Sequence, residues 1–260
     1  MFSTLKVQVH DHAGTIILDR PAKRNAISRT MLSELEQALD DFHQQKSVRA
    51  VILTGAGTAF CAGMDLEEMR LTAQRDDAQM QWGRDAELYR DLLTRMLHFP
   101  KPLIAAAGGP VVAGGAGLLL ACDIVVATDT ARFGLPEPRR GIVAGIVAPL
   151  LVFRIGAGPA ARLLLQCDLV PAEEARRLGL YHHDASEDHL WARAREIAGD
   201  CAAAAPEALQ LTKRMLNENI GEHLATLLSA GAAISATART TDAAGEGMQA
   251  FLEKRDPVWK

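Results

Sequence analysis

Two glycine-rich loops and one carboxylate are the groups in this chain whose types and spacing could do chemistry together. Phe60-Cys61-Ala62-Gly63-Met64-Asp65-Leu66 lies between a β-branched run and a long helical pattern. Ala107-Gly108-Gly109-Pro110-Val111-Val112-Ala113-Gly114-Gly115-Ala116-Gly117-Leu118 again follows a strand-like run and precedes a helix-like one. A chain that leaves a buried strand through small residues and enters a helix points unpaired N–H groups at one spot. Where side chains are missing, a ligand can touch the backbone itself. Two such loops on adjacent parallel strands meet at the carboxyl ends of those strands, where together they can offer two N–H donors to one developing oxyanion. Either loop alone is equally well a glycine-rich turn with a packing role. Glu137 follows the turn Phe133-Gly134-Leu135-Pro136, so a rigid loop can project its carboxylate into the same crevice. A lone Glu between Pro136 and Pro138 would otherwise read as a surface residue.

Competing glycine and nucleophile motifs fail on spacing. No G-x-x-x-x-G-K-[ST] loop exists, Gly114–Gly117 does not fit G-x-G-x-x-G, and there is no G-x-S-x-G elbow, which removes support for phosphotransfer, dinucleotide redox chemistry and serine hydrolysis. Cys61, Cys122, Cys167 and Cys201 form no C-x-x-C pair and read as reduced thiols, and no metal site is expected. His182-His183 has no metal-type partners nearby and reads as surface or a subunit contact, while His98 is placed to favour a helix C-terminus. Asp65, Glu67, Glu68 and Glu87 read mostly as a solvated helix face, and Arg139-Arg140 as a structural ion pair.

The elements that must position these groups follow from periodicity. Val7–Val9 and Gly14–Leu18 read as a strand pair turning at Asp11–Gly14. From an N-cap at Ser28, Met31, Leu32, Leu35, Ala38, Leu39 and Phe42 repeat at helical steps. Arg49–Thr54, Leu103–Ala107 and Ile124–Ala127 are buried-strand runs, Leu66 to about His98 is helical, and Leu118–Ala121 is a short apolar helix. That alternation predicts parallel pairing. After Pro159 the strands are expected to stop, leaving Ala160–Leu165, Pro171–Leu178, Glu187–Ala203 and Pro206–Leu216 as helices.

With 260 residues, 48% hydrophobic and 23% charged, the chain can bury a large core. A net charge of −4 and scattered Trp and Tyr give no footprint for nucleic acid. The strand-like start does not read as a signal peptide, and Leu103–Ala107 and Ile142–Phe153 are too short or too broken to span a bilayer, so a cytoplasmic protein without a membrane partner is expected.

The ordered set Leu18-Asp19-Arg20-Pro21, Asn25-Ala26-Ile27, Phe60 to Leu66, Gly114-Gly115-Ala116-Gly117, Ala121-Cys122-Asp123-Ile124, Phe133 to Glu137 and Ala250-Phe251-Leu252-Glu253-Lys254-Arg255 resembles the crotonases, the enoyl-coenzyme A hydratase/isomerase family, over nearly the whole length. The resemblance implies an α/β spiral of βαβ turns over residues 1–195 and a C-terminal α-helical trimerisation region over 196–260, assembled as a homotrimer or a dimer of trimers. It implies an acyl-coenzyme A thioester as substrate, no separate cofactor, oxyanion donors at the Met64 and Gly114 N–H groups, and Glu137 as acid/base. It places coenzyme A against Lys23, Arg24, Ala62 and Asp65, with Phe251 and Lys254 approaching from a neighbouring subunit; a charged surface or a packing Phe is the bland alternative for these. The acyl pocket is expected to be lined by the Leu66–His98 region.

The chain departs from the hydratase pattern at Gly117, where hydratases carry a second Glu. Hydration usually employs two carboxylates on one water, whereas isomerisation needs one base and a held enolate, so isomerase chemistry is slightly favoured. Alternatives are an acyl-coenzyme A-binding homologue with little activity, or another crotonase chemistry such as thioester hydrolysis or decarboxylation.

Overall fold

Strands buried on both faces form the middle of the central sheet of this computed structural model, which describes residues 2–221 and 223–259, without the side chains of 219 and 220. Strands β1 (Leu5–His10) and β2 (Ala13–Leu18) form the antiparallel pair expected from the sequence. Helix α1 (Arg29–Gln44) starts at Ser28, whose side chain accepts from the Met31 N–H at 3.2 Å. It buries the six apolar residues of its periodic stripe. Strand β3 (Ala50–Gly55) then pairs parallel with β2.

The stretch expected to be one helix from Leu66 to His98 is two: α2 (Leu66–Ala73) and α3 (Ala78–His98), broken by a turn at 74–77. Beyond them lie β4 (Leu103–Ala107), β5 (Val111–Val112), α4 (Gly114–Leu120), β6 (Ile124–Ala127) and β7 (Phe133–Gly134). Helix α4 therefore begins inside the second glycine loop, earlier than the expected Leu118.

Strands do not stop after Pro159. Helices α5 (Val147–Ile155) and α6 (Ala157–Gln166) lead to β8 (Leu169–Val170), α7 (Ala172–Arg177) and β9 (His183–Asp184). β9 adds to β6 at the edge of the main sheet, ordered β1-β2-β3-β4-β6-β9, and β8 joins a small sheet ordered β5-β7-β8. His182 lies exposed at this edge, as expected for a surface residue, and its Nδ1 accepts from the Val125 N–H at 3.0 Å, which helps fasten the edge. A run of two residues is too short to show any period, which is why these strands were not foreseen.

From β2 to β9 the main sheet is parallel, and β3, β4 and β6 are covered on both faces. Ala50, Ile52, Ile104, Ala106 and Val126 pack under Leu190, Ala194, Ile197 and Ala198 of α8 (Leu190–Ala203). Their neighbours in sequence, Val51, Leu53, Leu103, Ala105, Val125 and Ala127, point into the larger core with α1, α3 and α4. The boundary placed at 195/196 falls within α8. The chain ends in α9 (Pro206–Arg214), a π-helical stretch Met215–Ile220, α10 (Leu224–Ala238) and α11 (Asp242–Glu253). All four cysteines are free thiols. Among the described residues no helix is long and apolar enough to cross a membrane.

Candidate active site

Backbone hydrogen bonds lace the two glycine loops and the Glu137 turn together side by side. Cys61 bridges Val111 in parallel register, through Cys61 N–H to Pro110 O at 3.3 Å and Val112 N–H to Cys61 O at 3.0 Å. Val111 in turn pairs with Phe133, and the Ala113 N–H donates to Gly134 O at 3.0 Å. Three residues beyond this Cys61/Val111/Phe133 row stand Met64, Gly114 and Pro136, so Met64, Gly114 and Glu137 emerge at the same end of it.

The first loop is pinned from below by Asn25, a buried residue in the left-handed conformation (φ +56°). Its Nδ2 donates to the carbonyls of Ala56 and Ala59 at 2.9 and 2.8 Å, while its Oδ1 accepts from the Arg20 N–H at 3.0 Å. The bridge between Ile27 and Met64 uses Ile27 N–H to Gly63 O (2.8 Å) and Asp65 N–H to Ile27 O (2.9 Å). That pattern leaves the Met64 N–H without a partner among the described residues, as is the N–H of Gly114 at the first turn of α4. The two loops touch: a Cβ on Gly63, which has φ +94°, would lie 3.2 Å from the Gly114 nitrogen and 2.7 Å from Ala113 Cβ. Glycine at 63 is thus required both by conformation and by the approach of the second loop. Ala113, just before Gly114, holds an unfavourable φ of +53°.

Glu137 opens a 3-10 turn, Glu137–Arg140, between two prolines that restrict the backbone. It is 5% exposed, and its Oε2 is buried with no hydrogen-bond partner. Burial pushes its carboxyl up from 4.5 to about 7, against the opposing pull of a hydrogen bond from its own backbone and of the Arg140 charge. A carboxyl poised there can exchange a proton near neutral pH.

These groups border one cavity of ≈ 770 Å³, whose wall also includes Lys23, Arg24, Ala62, Asp65 and Phe251. Lys254 caps the end of α11 in the left-handed conformation and is not part of that wall. Phe251 reaches the cavity of its own chain, where the Arg140 guanidinium stacks 4.4 Å above its ring. The ion pair expected for Arg139-Arg140 is absent among the described residues; Arg139 instead donates to Gln166 O at 3.1 Å. Asp65 is buried and committed: its carboxylate accepts from the Glu67 and Glu68 N–H groups at 3.1 and 3.3 Å as the α2 cap, and from Arg20 at 2.7 Å. Glu67 also lines the cavity, whereas Glu87 does not. The Leu66–His98 region supplies Leu66, Glu67, Met69 and Tyr89, but the 136–147 turn and the C-terminal residues supply more of the wall.

Two lining residues escaped the sequence reading. Tyr89 on α3 donates its hydroxyl to the Gly114 carbonyl. Burial drives that phenol well above its ordinary pKa, so it stays protonated. Arg239, at the end of α10, is the second. Neither lies in a motif; helical periodicity makes Tyr89 only another core position. Among the described residues no group of His, Cys, Asp and Glu is arranged to hold a metal ion.

This layered α/β fold with its C-terminal helices is that of the crotonase-type enzymes. The chain belongs to the enoyl-CoA hydratase/isomerase family, whose model matches residues 10–260. A relative from Thermus thermophilus named enoyl-CoA hydratase is 41% identical over 246 residues, 95% of this chain and 96% of that one. A Bacillus subtilis protein named enoyl-CoA hydratase/isomerase YngF is 34% identical over 253 residues, covering 96% and 95%. The crystal structure of an enoyl-CoA hydratase/isomerase from Xanthobacter autotrophicus Py2 matches with a TM-score of 0.89 at 32% identity, over 98% of each chain.

Proposed function

We propose that the chain moves a proton on an unsaturated acyl-coenzyme A thioester, with Glu137 as the base and the N–H groups of Met64 and Gly114 receiving the thioester oxygen. The observation that carries this reading is the Glu137 carboxyl, buried and unpartnered at Oε2, at the same end of the backbone lacing as those two N–H groups. Glu137 takes a proton from the carbon next to the carbonyl; the C–H electrons delocalise onto the thioester oxygen, which the two N–H dipoles stabilise. Returning the proton further along the chain shifts the double bond and regenerates the carboxylate, completing an isomerisation.

Isomerisation is favoured over hydration because the position of the second hydratase Glu is Gly117, while Asp65 and Glu67 on the same wall are engaged by Arg20, the α2 N–H groups and Arg70. Gly117 has no side chain, and a Cβ there would lie 2.0 Å from the Tyr89 hydroxyl, leaving no room for a second Glu. Lys23 and Arg24 offer positive charge to the phosphates of coenzyme A, with Ala62, Asp65 and Phe251 as further contacts on the same wall and Lys254, outside that wall, reaching in from a neighbouring subunit. The exposed Leu227 and Ile234 of α10 support burial of the C-terminal helices in a trimer or a dimer of trimers.

The test is mass spectrometry of unsaturated acyl thioesters incubated with the protein in heavy water. Deuterium incorporation next to the carbonyl with double-bond migration is expected from the wild type and not from Glu137→Gln. Water addition instead would assign hydration, and equal exchange by both proteins would remove Glu137 from the mechanism. Tight binding with neither exchange nor product would leave a thioester-binding protein.

A further inference from the structure

Arg239 caps the C-terminal end of α10, is only 8% exposed, and shares the cavity wall with Ser235 one helical turn earlier. Its Nη1 is buried without a hydrogen-bond partner, and among the described residues it forms no ion pair. The carboxylate that acts on it electrostatically is Asp85. Asp85 is already engaged: Arg29 Nε and Nη2 donate to its two oxygens at 2.7 and 2.6 Å, and Gln81 adds a third hydrogen bond at 2.8 Å. Glu68 is likewise turned to the Arg29 backbone N–H, at 3.0 Å.

A buried guanidinium stays charged and is costly to leave unpaired, so a cavity-lining one without a partner marks where an anion is to be received. Burial depresses the Arg239 pKa, and Asp85 only partly compensates. Asp85 lies one turn, about 6 Å along the axis, from Tyr89 on α3. Tyr89 contacts the Gly114 loop through its hydroxyl, so Arg239 belongs to the α3–α10 wall beside the oxyanion loops. The coenzyme A contacts proposed above come from other elements.

We infer that Arg239 receives a carboxylate carried at the far end of the acyl chain, so that the substrate is the coenzyme A monothioester of an unsaturated dicarboxylic acid. The guanidinium fork suits a carboxylate in two parallel hydrogen bonds, and the Ser235 hydroxyl beside it can add a third. This rests on the cavity taking an acyl-coenzyme A thioester.

The experiment compares pairs of unsaturated thioesters matched in length, one ending in a methyl group and one in a carboxylate, on wild type, Arg239→Met and Arg239→Lys, each checked for folding by circular dichroism. At the best length wild type is expected to favour the carboxylate by at least about tenfold in kcat/KM. Arg239→Met is expected to lose that preference, with the methyl-ended substrate changed by no more than about twofold, and Arg239→Lys to keep part of it. Wild type favouring the methyl end at every length would overturn the inference without recourse to any variant. So would a folded Arg239→Met that keeps the preference. If wild type turns over neither series, the reading of the reaction fails. The recognition claim is then judged by calorimetric binding of saturated thioesters with the two endings: an Arg239-dependent preference sustains it, and equal affinities reject it.

Discussion

The Tyr89 hydroxyl oxygen stands 2.0 Å from where a Cβ on Gly117 would lie, so the phenol fills the space through which any side chain at that position would leave α4. The same hydroxyl donates to the Gly114 carbonyl, one residue beyond the strained Ala113. A ring anchored on α3 thereby braces the Gly114 loop, and glycine at 117 is the condition for it.

Gly117→Ala is expected to destabilise the protein by about 1–3 kcal/mol through overpacking against Tyr89 and Val147. In a Tyr89→Phe background, where the clashing oxygen is gone, the same change should cost less, giving a coupling of roughly 0.5–3 kcal/mol. Urea denaturation of the four proteins measures it; strictly additive effects would show that the two residues do not compete for space.

Glu137 should cost stability where it is ionised. Its folded pKa is raised from 4.5 to about 7, so its favourable contribution is full below 4.5 and is lost as pH rises through about 7. Glu137→Gln is therefore expected to be more stable than wild type at pH 8, by up to roughly 3 kcal/mol, and nearly equal at pH 4. Thermal melts across that range decide it. A variant less stable at pH 8 would mean that the ionised carboxylate is held by groups other than those seen here.

The rate should carry the same titration. In the proposed role of base, Glu137 must be ionised, so kcat/KM is expected to rise with pH through about 7 and level off above it. Glu137→Gln should lose about 10²–10⁴-fold in rate and, with it, that rise. A pH profile surviving in the variant would assign the titration to another group.

Asp65 links the first loop to α2, so Asp65→Ala is expected to cost roughly 1–3 kcal/mol by removing the α2 cap and the partner of the Arg20 guanidinium, whose side chain is mostly buried. Because α2 lines the cavity through Leu66 and Met69, KM should rise more than kcat falls. Denaturation midpoints and steady-state kinetics together check this; a variant of unchanged stability would remove the cap and ion pair from the account.

What the chain's order of residues determined by itself was everything carried by local pattern. The apolar stripe of α1, the β-branched strands, and small residues placed between strand and helix are read from spacing alone, because propensity and amphipathic period act over a few residues. The glycine loops and Glu137 were visible for that reason, as were the parallel pairings of β3, β4 and β6. The breaks in that reading are equally physical. Two-residue strands such as β8 and β9 owe their existence to edges offered by distant segments. The turn dividing α2 from α3 interrupts a stretch whose composition stays helical throughout. His182, Arg139 and Arg140 took partners that spacing could not name. Only tertiary structure could decide the roles of Tyr89 and Arg239, because lacking room beside a glycine, or lacking a partner while buried, is a property of neighbours brought together from far along the chain.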